Sequence, residues 1–276
     1  MESVLVAYSG GVDSTFLLKL ASDTLGDKKV VAATAESLTF PLREINFAKK
    51  MAKNFRVKHI IIKTEELEDP KFINNQDDRC YWCKRELFSQ LSCIAKKEGL
   101  GYVIEGTNFD DTKDFRPGMK AAGEFKIRSP LKEAGLTKGD IRRLSKKLNL
   151  PTWDKPSFAC LATRFPYRMR ITKENLIKVD KAEVFLRSFG IAQVRVRHYN
   201  QIARIEVLKD EIPKLLEEEV RDKIVSKFKK LGYSYITIDL QGYRTGSMNE
   251  VLNDSSNRFL KKDLIEKIEN QRNKNI

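Results

Sequence analysis

The sequence has neither a long apolar run nor a recognisable leader pattern. No stretch approaches the roughly 18 consecutive apolar residues that indicate a membrane-spanning helix. No basic region, apolar stretch and small-residue cleavage site precede the first strand-like run, so no signal peptide is recognised. We therefore expect a cytoplasmic protein with no membrane partner.

Histidine and cysteine are scarce, with two and four residues respectively. In a reducing compartment, cysteines are more often metal-binding, catalytic or inert than paired in disulfides. His59 and His198 are expected to be structural and not metal ligands. The lysine-containing loop G-x-x-x-x-G-K-[ST] of kinases and GTPases is also absent, which argues against that class of nucleotide-binding enzyme.

Positive charge is in excess and is unevenly placed along the chain. The net charge is +14, and residues 113–170 hold 15 Lys or Arg against 5 Asp or Glu. Such a stretch indicates a basin for a phosphorylated ligand or for RNA, or else a solvated basic surface. Composition alone does not choose between these readings.

Short apolar runs alternate with amphipathic stretches over the first half of the chain. Strands are predicted near residues 4–8, 30–34, 59–62 and 102–105, and helices near 14–25, 43–55 and 80–97. This alternation is typical of an α/β fold, with a doubly wound, mainly parallel sheet and helices on both faces.

The pattern changes at about residue 170 to a helix, two alternating strands, a long charged helix and a final strand. We therefore predict a first domain over residues 1–168 and a smaller α+β domain over residues 169–276. The end, from residue 258, is predicted to be a charged helix or a frayed tail.

The segment Ser9-Gly10-Gly11-Val12-Asp13-Ser14 joins the first strand to the first helix. Its glycines permit a tight turn and the close approach of a ligand. Backbone N–H groups and the helix N-terminus favour an anion there. The hydroxyls of Ser9 and Ser14 can donate to phosphate oxygens, and Asp13 can help to hold Mg²⁺. The segment predicts a pyrophosphate-binding loop for ATP, with Ser9, Gly10, Gly11, Asp13 and Ser14 as its binding residues.

Ligands of parallel sheets bind beyond the carboxyl ends of the strands. The loops over residues 9–14, 34–40 and 106–111 are therefore expected to converge on one site. Thr34, Asn108 and Arg128 are predicted to contribute to binding of the nucleotide.

Cys80 and Cys83 lie three residues apart at the start of a predicted helix, so their thiols are neighbours. The helix dipole favours thiolates at that position. Cys160 lies in a segment rich in arginine, whose charges are expected to lower its pKa and make it nucleophilic. These arginines are Arg164, Arg168 and Arg170.

Cys93 follows Cys83 by ten residues, a rotation of about 280° on one helix, so it is predicted to be a buried small residue outside any site. If Cys160 meets Cys80 and Cys83, three thiolates suit a [4Fe–4S] cluster with one open iron. The alternative is a lone C-x-x-C pair with an unrelated third thiol.

Several segments carry resemblances to known proteins. Residues 9–14 resemble the S-G-G-x-D-S signature of the PP-loop ATP pyrophosphatases, which cleave ATP between its α- and β-phosphates and adenylate a substrate. Up to about residue 245 the chain also resembles the LarE family of sulfur transferases. The segments that carry this second resemblance are Ser129-Pro130-Leu131, Gly135-Leu136-Thr137, residues 150–157, Cys160-Leu161-Ala162 and Arg164-Phe165-Pro166-Tyr167.

The resemblance implies an activity on pyridinium-3,5-biscarboxylic acid mononucleotide. A carboxylate is adenylated and AMP is replaced by sulfur; two rounds give the sulfur ligands of the nickel-pincer nucleotide. In one branch of the family, the cysteine that matches Cys160 gives up its own sulfur. A second branch has two further cysteines, as Cys80 and Cys83 are here, and holds a [4Fe–4S] cluster on three cysteines. The chain has this second pattern, so Cys80, Cys83, Cys160 and Asp13 are the predicted catalytic residues.

The resemblance also implies roles for residues of the second domain. Glu183 resembles a metal-binding glutamate, with Asp210 as a possible partner, and Trp82 matches a tryptophan near the family's site. Arg195 and Arg197 alternate along a strand and so share one face. They match a basic pair that binds the substrate phosphate, although a solvated strand face is the alternative.

Two other functions fit parts of the pattern. A PP-loop tRNA thiolase also combines the phosphate loop, a C-x-x-C pair and a basic surface, and a non-catalytic iron–sulfur sensor gated by ATP would need the same residues. The segment from Pro151 to Tyr167 favours a small-molecule nucleotide substrate, and nucleic acid is not expected as a partner. A sulfide or other sulfur donor and a homo-oligomeric state are expected.

Overall fold

The computed structural model describes residues 1–113 and 117–250. Its larger sheet has four parallel strands in the order β3-β2-β1-β4. They are β1 (Val4–Ala7), β2 (Val30–Glu36), β3 (Lys58–Lys63) and β4 (Tyr102–Glu105).

Seven helices accompany this sheet in the described residues. They are α1 (Val12–Leu25), α2 (Leu42–Asn54), α3 (Pro70–Ile73), α4 (Arg79–Lys97), α5 (Gly118–Glu124), α6 (Pro130–Glu133) and α7 (Lys138–Lys147). Thr137 and Asp140, whose spacing in the sequence is that of a capping box, form one at the start of α7.

Helices cover both faces of the sheet because successive side chains of a strand point to opposite sides. Val4 and Val6 of β1 join a core with side chains of α1, α2 and α7. Leu5, between them, joins a second core with side chains of α4 and α5. The predicted α/β class with a doubly wound parallel sheet is confirmed.

The strand order places a change of direction at β1. From β1 the chain builds outward through β2 and β3, and then returns to add β4 on the other side. Ligands of such sheets bind in the crevice where the order reverses. A ligand site is therefore expected at the ends of β1 and β4.

A second sheet has three strands in the order β5-β6-β7, the first pair antiparallel and the second parallel. Its elements are α8 (Lys173–Arg187), β5 (Val194–Tyr199), β6 (Ile202–Val207), α9 (Ile212–Leu216), α10 (Glu218–Lys230) and β7 (Tyr235–Ile238). One face of this sheet packs on the three helices in a core of its own. The predicted smaller α+β unit is confirmed.

Apolar side chains from both sides of the predicted domain boundary form a further cluster. It includes Phe72, Leu161 and Phe165 together with Leu176 and Val179 of α8. The boundary after residue 168 stays a prediction. The predicted helix or tail from residue 258 lies outside the described residues. None of the described helices is long and apolar enough to cross a membrane.

His198 provides a test of this packing. Its side chain is 1% exposed, its Nδ1 lies 3.2 Å from the hydroxyl of Tyr233, and its ring lies 5.2 Å from that of Phe165. Burial, helped by the charge of Lys178, lowers the pKa of His198 from 6.5 to about 4. Between these values only the unfolded chain takes up the proton, so the histidine makes the fold less stable as pH falls from about 6.5 towards 4.

We predict that His198→Gln removes about 2 kcal/mol of the loss in unfolding free energy between pH 7 and pH 5, because the substituted side chain does not titrate. Urea unfolding of wild type and variant at the two pH values measures the difference. An unchanged pH dependence in the variant would show that His198 is not held neutral by its burial.

Candidate active site

A cavity of about 560 Å³ lies beyond the carboxyl ends of the parallel strands. That size is typical of sites for nucleotide-sized ligands. The structure brings the three expected loops together around it. They contribute Ser9, Gly11, Val12, Asp13 and Ser14, then Thr34, Ala35 and Phe40, and then Gly106, Thr107, Asn108, Asp110 and Asp111. Lys155 to Phe158 line it as well, which the sequence did not predict.

The loop before α1 has the geometry of an anion site. Gly10 has φ +71°, and a Cβ atom there would lie 3.1 Å from the Cβ of Ala48. Gly11 caps α1, and the hydroxyls of Ser9 and Ser14 lie 3.0 Å apart. The N-terminus of a 14-residue helix thus opens into the cavity with two hydroxyls beside it, which suits a phosphate group.

Gly106, which follows β4, supports this loop from the other side. A Cβ atom at Gly106 would lie 2.9 Å from the backbone N of Ser14 and 3.2 Å from the carbonyl carbon of Asp13. Only a residue without a side chain allows this approach. The sequence pattern placed Gly106 in a site loop but gave no sign of this contact.

Asp13 has one engaged and one free oxygen. Its Oδ2 accepts from Nζ of Lys138 at 2.6 Å, while its buried Oδ1 has no partner in the described chain. A carboxylate oxygen beside a phosphate loop is the ligand that Mg²⁺ prefers. Asp13 therefore fits a magnesium ion held between the protein and the phosphates.

Thr34 and Asn108 line the cavity, and their side chains also form hydrogen bonds that stabilise its walls. The hydroxyl of Thr34 donates to the carbonyl of Tyr8 at 2.6 Å and lies 2.8 Å from Nε2 of His59. Oδ1 of Asn108 accepts the N–H of Asp111 at 3.2 Å and so shapes its loop.

Arg128 does not line the cavity. Its exposed guanidinium is paired with both oxygens of Glu133, at 2.8 and 2.5 Å. The structure thus brings Arg128 to a surface ion pair and not to the expected nucleotide site, because its bidentate partner lies five residues along the chain.

The three predicted cysteines lie near enough to influence one another's pKa. Cys80 and Cys83 lie in the first turn of α4, and Cys160 directly precedes a short 3₁₀ turn over residues 161–164. Burial raises the pKa of Cys83 well above its usual value, and Glu66, Cys160 and Cys80 raise it further. Cys83 and Cys160 pack against the same apolar cluster, and Cys83 also lines the large cavity.

Two expectations about the thiols are wrong. Cys93 is exposed and not buried, since it lies on the solvent side of α4. The pKa of Cys160 is raised and not lowered, because burial outweighs the charges of Arg79 and Arg164. Arg168 and Arg170 are exposed.

Arg79 is the main site residue that the sequence pattern did not reveal. Its side chain is 4% exposed, yet no carboxylate of the described residues pairs with it. Its Nη1 donates to Oδ1 of Asn75 and to the carbonyl of Ala162, and its Nη2 lies 4.0 Å from Sγ of Cys80. Nε has no partner among the described atoms. A cation in the first turn opposes the helix dipole, and this was the available signal.

Asn75 and Arg79 together connect the two cysteine segments. Nδ2 of Asn75 donates to the carbonyls of Phe165, Pro166 and Met169, while Arg79 holds the carbonyl of Ala162. The start of α4 is therefore fixed to the segment that follows Cys160.

Among residues 1–113 and 117–250, no three His, Cys, Asp or Glu side chains are grouped for one ion. An iron–sulfur cluster takes its thiolates on different iron atoms, and thiolates are its usual ligands. The chemistry of Cys80, Cys83 and Cys160, with a buried guanidinium beside them to offset negative charge, fits such a cluster.

Glu183 does not have the predicted arrangement of a metal ligand. It is fully buried, and its two oxygens accept from Nε and Nη2 of Arg164 at 2.7 and 3.2 Å and from the N–H of Val196. Asp210 is exposed on a short turn over residues 209–211. Both oxygens of Glu183 are thus engaged, so the structure makes it the counterion of Arg164.

Arg195 and Arg197 share one strand face as predicted, but that face is buried. Arg197 is fully buried and paired with both oxygens of Glu206 at 2.9 and 2.7 Å, with further bonds to the carbonyl of Thr163 and the hydroxyl of Ser247. Arg195 donates to the hydroxyl of Tyr243 at 3.0 Å. The face is therefore not solvated, and Arg197 has its partners within the described fold, whereas the buried Nε of Arg195 has no partner in the described chain.

Trp82 lies between the paired cysteines without lining the cavity. Its Nε1 donates to Asp78 at 2.7 Å, and Nζ of Lys71 lies 3.8 Å from the centre of its ring. Glu66 does line the cavity and was not predicted. It is 2% exposed and accepts from Ser37 and Thr39 through Oε1, while Oε2 has no partner in the described chain.

A parallel sheet, a lysine-free phosphate loop and an acidic first turn of α1 define an ATP-binding enzyme of the PP-loop class. In agreement, the chain is 27% identical over 164 residues to one of the subunits of the glutamine-hydrolyzing GMP synthase from Saccharolobus solfataricus, across 54% of this chain and 44% of that one. It is 38% identical over 252 residues to the pyridinium-3,5-bisthiocarboxylic acid mononucleotide synthase of Lactiplantibacillus plantarum, across 91% of both chains.

An uncharacterized protein of Synechocystis sp. is 42% identical over 252 residues, across 91% of this chain and 94% of that one. No protein-family model matches the chain. The extent and identity of these matches show that the chain belongs to the LarE family, and it is an enzyme of the ATP-dependent sulfur transferase class.

Gly106→Ala tests the contact between β4 and the phosphate loop. The added methyl group would press on the backbone of Ser14, so we predict at least about tenfold weaker binding of MgATP, or about 1.4 kcal/mol. Calorimetry on the purified chain measures the affinity. Gly123→Ala on α5 is the matched control, since nothing lies within 4 Å of its Cβ position. Equal ATP affinity in both variants would contradict the role assigned to Gly106.

Proposed function

We propose that the enzyme adenylates a carboxylate of pyridinium-3,5-biscarboxylic acid mononucleotide and converts it to a thiocarboxylate, in two rounds, for nickel-pincer nucleotide biosynthesis. The named relative from Lactiplantibacillus plantarum supports this substrate. One structural observation carries the proposal: Cys83 and the phosphate loop over residues 9–14 line the same cavity. Activation by ATP and delivery of sulfur can therefore take place without release of the intermediate.

Activation requires the α-phosphate of ATP to be open to attack. With the β- and γ-phosphates at the N-terminus of α1 and the hydroxyls of Ser9 and Ser14, a substrate carboxylate oxygen forms a bond to the α-phosphorus. The bond from that phosphorus to the β-phosphate oxygen breaks, and pyrophosphate leaves. The residues fix the leaving group in place, which is the main way an enzyme accelerates such a transfer. Mg²⁺ on Asp13 would offset the charge that develops.

Sulfur transfer then replaces AMP. The incoming sulfur forms a bond to the acyl carbon, the bond to the AMP oxygen breaks, and AMP leaves with the electron pair. Arg79 lies beside Cys80 and is within electrostatic reach of Cys160, so its charge stabilises anionic sulfur on this side of the cavity.

Cys80, Cys83 and Cys160 would hold a [4Fe–4S] cluster, which supplies an open iron as a carrier for sulfide. Such a carrier can be refilled, so the enzyme need not consume its own cysteine. The homo-oligomeric state and the sulfide source stay predictions.

The four cysteines of the chain provide a matched series. We predict that alanine at position 80, 83 or 160 abolishes stable loading of about four irons and lowers thiocarboxylate formation at least a hundredfold, while adenylation persists because the phosphate loop is intact. Cys93→Ala, at an exposed free thiol, should leave both unchanged. Anaerobic reconstitution, iron analysis and separate assays of AMP, pyrophosphate and thiocarboxylate measure these effects.

Three outcomes would contradict the proposal. Full loading and turnover in Cys80→Ala would exclude a three-thiolate carrier. Binding of ATP without AMP or pyrophosphate would favour a sensor over an enzyme of this kind. A tight, salt-sensitive tRNA complex that yields 2-thiolated tRNA on addition of ATP would assign the sulfur to a nucleic acid.

A further inference from the structure

A second, smaller cavity of about 70 Å³ adjoins the large one. The two share part of their lining, from Glu44 and from Lys155 to Phe158. The rest of the small cavity is formed by Arg164, Arg187, Ala192, Gln193 and Val194. The two cavities are therefore neighbours, and Ser157 and Phe158, which line both, precede Cys160 in the chain.

Most cations around the small cavity have a counterion. Arg164 is paired with Glu183 at 2.7 Å, and Lys155 with Glu44 at 2.7 Å. Arg43, which lies near the ring of Phe158, is paired with Asp180 at 3.4 Å.

Arg187, at the end of α8, is the exception. No carboxylate of the described residues forms an ion pair with it. Its Nη1 donates to the carbonyl of Ala192, and its Nε is buried without a partner in the described chain. A buried N–H donor normally has an acceptor, because an unmade hydrogen bond is costly.

Like charges crowd this guanidinium. Burial, with the charges of Arg43 and Arg164, lowers the pKa of Arg187, although Glu183 acts in the opposite sense. The fold thus holds a cation at a cost in stability and with an unused donor, and such local conflicts are concentrated at functional sites. An anion in the cavity that Arg187 lines would offset the crowding of positive charge.

We propose that the small cavity binds the phosphate monoester of the nucleotide substrate, with Arg187 as its principal ligand. This assignment rests on the proposed function, since it names the part of the same substrate that is not adenylated. A volume of 70 Å³ accommodates about five water-sized groups, which matches a phosphorus atom with its four oxygens. The planar fork of an arginine is well suited to a phosphate.

The assignment replaces the one expected for Arg195 and Arg197. Arg197 uses its donors on Glu206, Thr163 and Ser247. Arg187 retains a donor and lines a cavity that adjoins the ATP site. Arg195 also has a buried Nε without a partner in the described chain, but it lines neither of the two cavities.

Direct binding tests the site without any sulfur chemistry. The probes are nicotinate mononucleotide and its riboside, which lacks the phosphate; calorimetry is done on the full chain without ATP. For wild type we expect at least tenfold tighter binding of the mononucleotide than of the riboside. In Arg187→Gln the two probes should bind equally, and Arg187→Lys should recover part of the preference.

Arg143→Gln, at an arginine whose side chain is 68% exposed on α7, is the control and should keep the wild-type preference. ATP affinity should be unchanged in all variants. Arg187→Gln should also unfold at the same or a higher urea concentration than wild type, because it removes a crowded cation. A purely structural arginine would show the opposite effect.

The proposal is overturned if wild type does not prefer the mononucleotide, or if Arg187→Gln keeps the preference. It is also overturned if pyrophosphate, and not the mononucleotide, is the ligand whose affinity depends on Arg187, since the cavity would then receive the leaving group. These results are distinct from failure of the proposed function. If Arg187 confers a preference for the phosphate but no thiocarboxylate forms, the phosphate site stands and the proposed function fails. If thiocarboxylate forms without that preference, the proposed function stands and the phosphate site is wrong.

Discussion

The buried ion pair between Arg164 and Glu183 fixes the position of the segment that contains Cys160. The two side chains are 1% and 0% exposed and lie 2.7 Å apart. Glu183 on α8 also accepts the N–H of Val196 on β5, while Arg164 donates to the carbonyl of Ala159, next to Cys160. Removal of one partner of such a pair leaves an uncompensated buried charge, at a cost of about 3–5 kcal/mol. The location of Cys160 therefore depends on a helix and a strand that carry no cysteine.

A second buried cation completes the arrangement from the other side. Arg79, with Asn75, joins the start of α4 to the carbonyls that follow Cys160. No carboxylate of the described residues forms an ion pair with it, and Sγ of Cys80 lies 4.0 Å from its Nη2. The parallel sheet places the phosphate loop at the switch between β1 and β4, and Cys83 lines the same cavity as that loop. The fold thus brings residues proposed to act in activation and in sulfur delivery close to one another.

The sequence predicts well what depends on neighbouring residues. The alternation of strands and helices, the turn at Gly10 and Gly11 and the capping box at Thr137 are local, so periodicity and turn chemistry reveal them. The partners of charged side chains depend on packing between distant segments. Hence Arg197 was expected to bind a substrate phosphate and Glu183 a metal ion, but both lie in buried ion pairs. The pKa of Cys160 is raised for the same reason, because burial exceeds the effect of nearby arginines. Arg79 and Arg187 stand out because no carboxylate of the described residues forms an ion pair with either of them, and the Nε of each lacks a partner there.

One measurement tests the central claim most directly: mass spectrometry of both the nucleotide and the intact chain after a single anaerobic turnover of the reconstituted enzyme. The account predicts that one carboxylate oxygen of the nucleotide is replaced by sulfur, that one AMP and one pyrophosphate form with it, and that the mass of the polypeptide is unchanged. A polypeptide lighter by one hydrogen sulfide at Cys160 would contradict it, because the sulfur would then come from the chain itself and not from a carrier held by three cysteines.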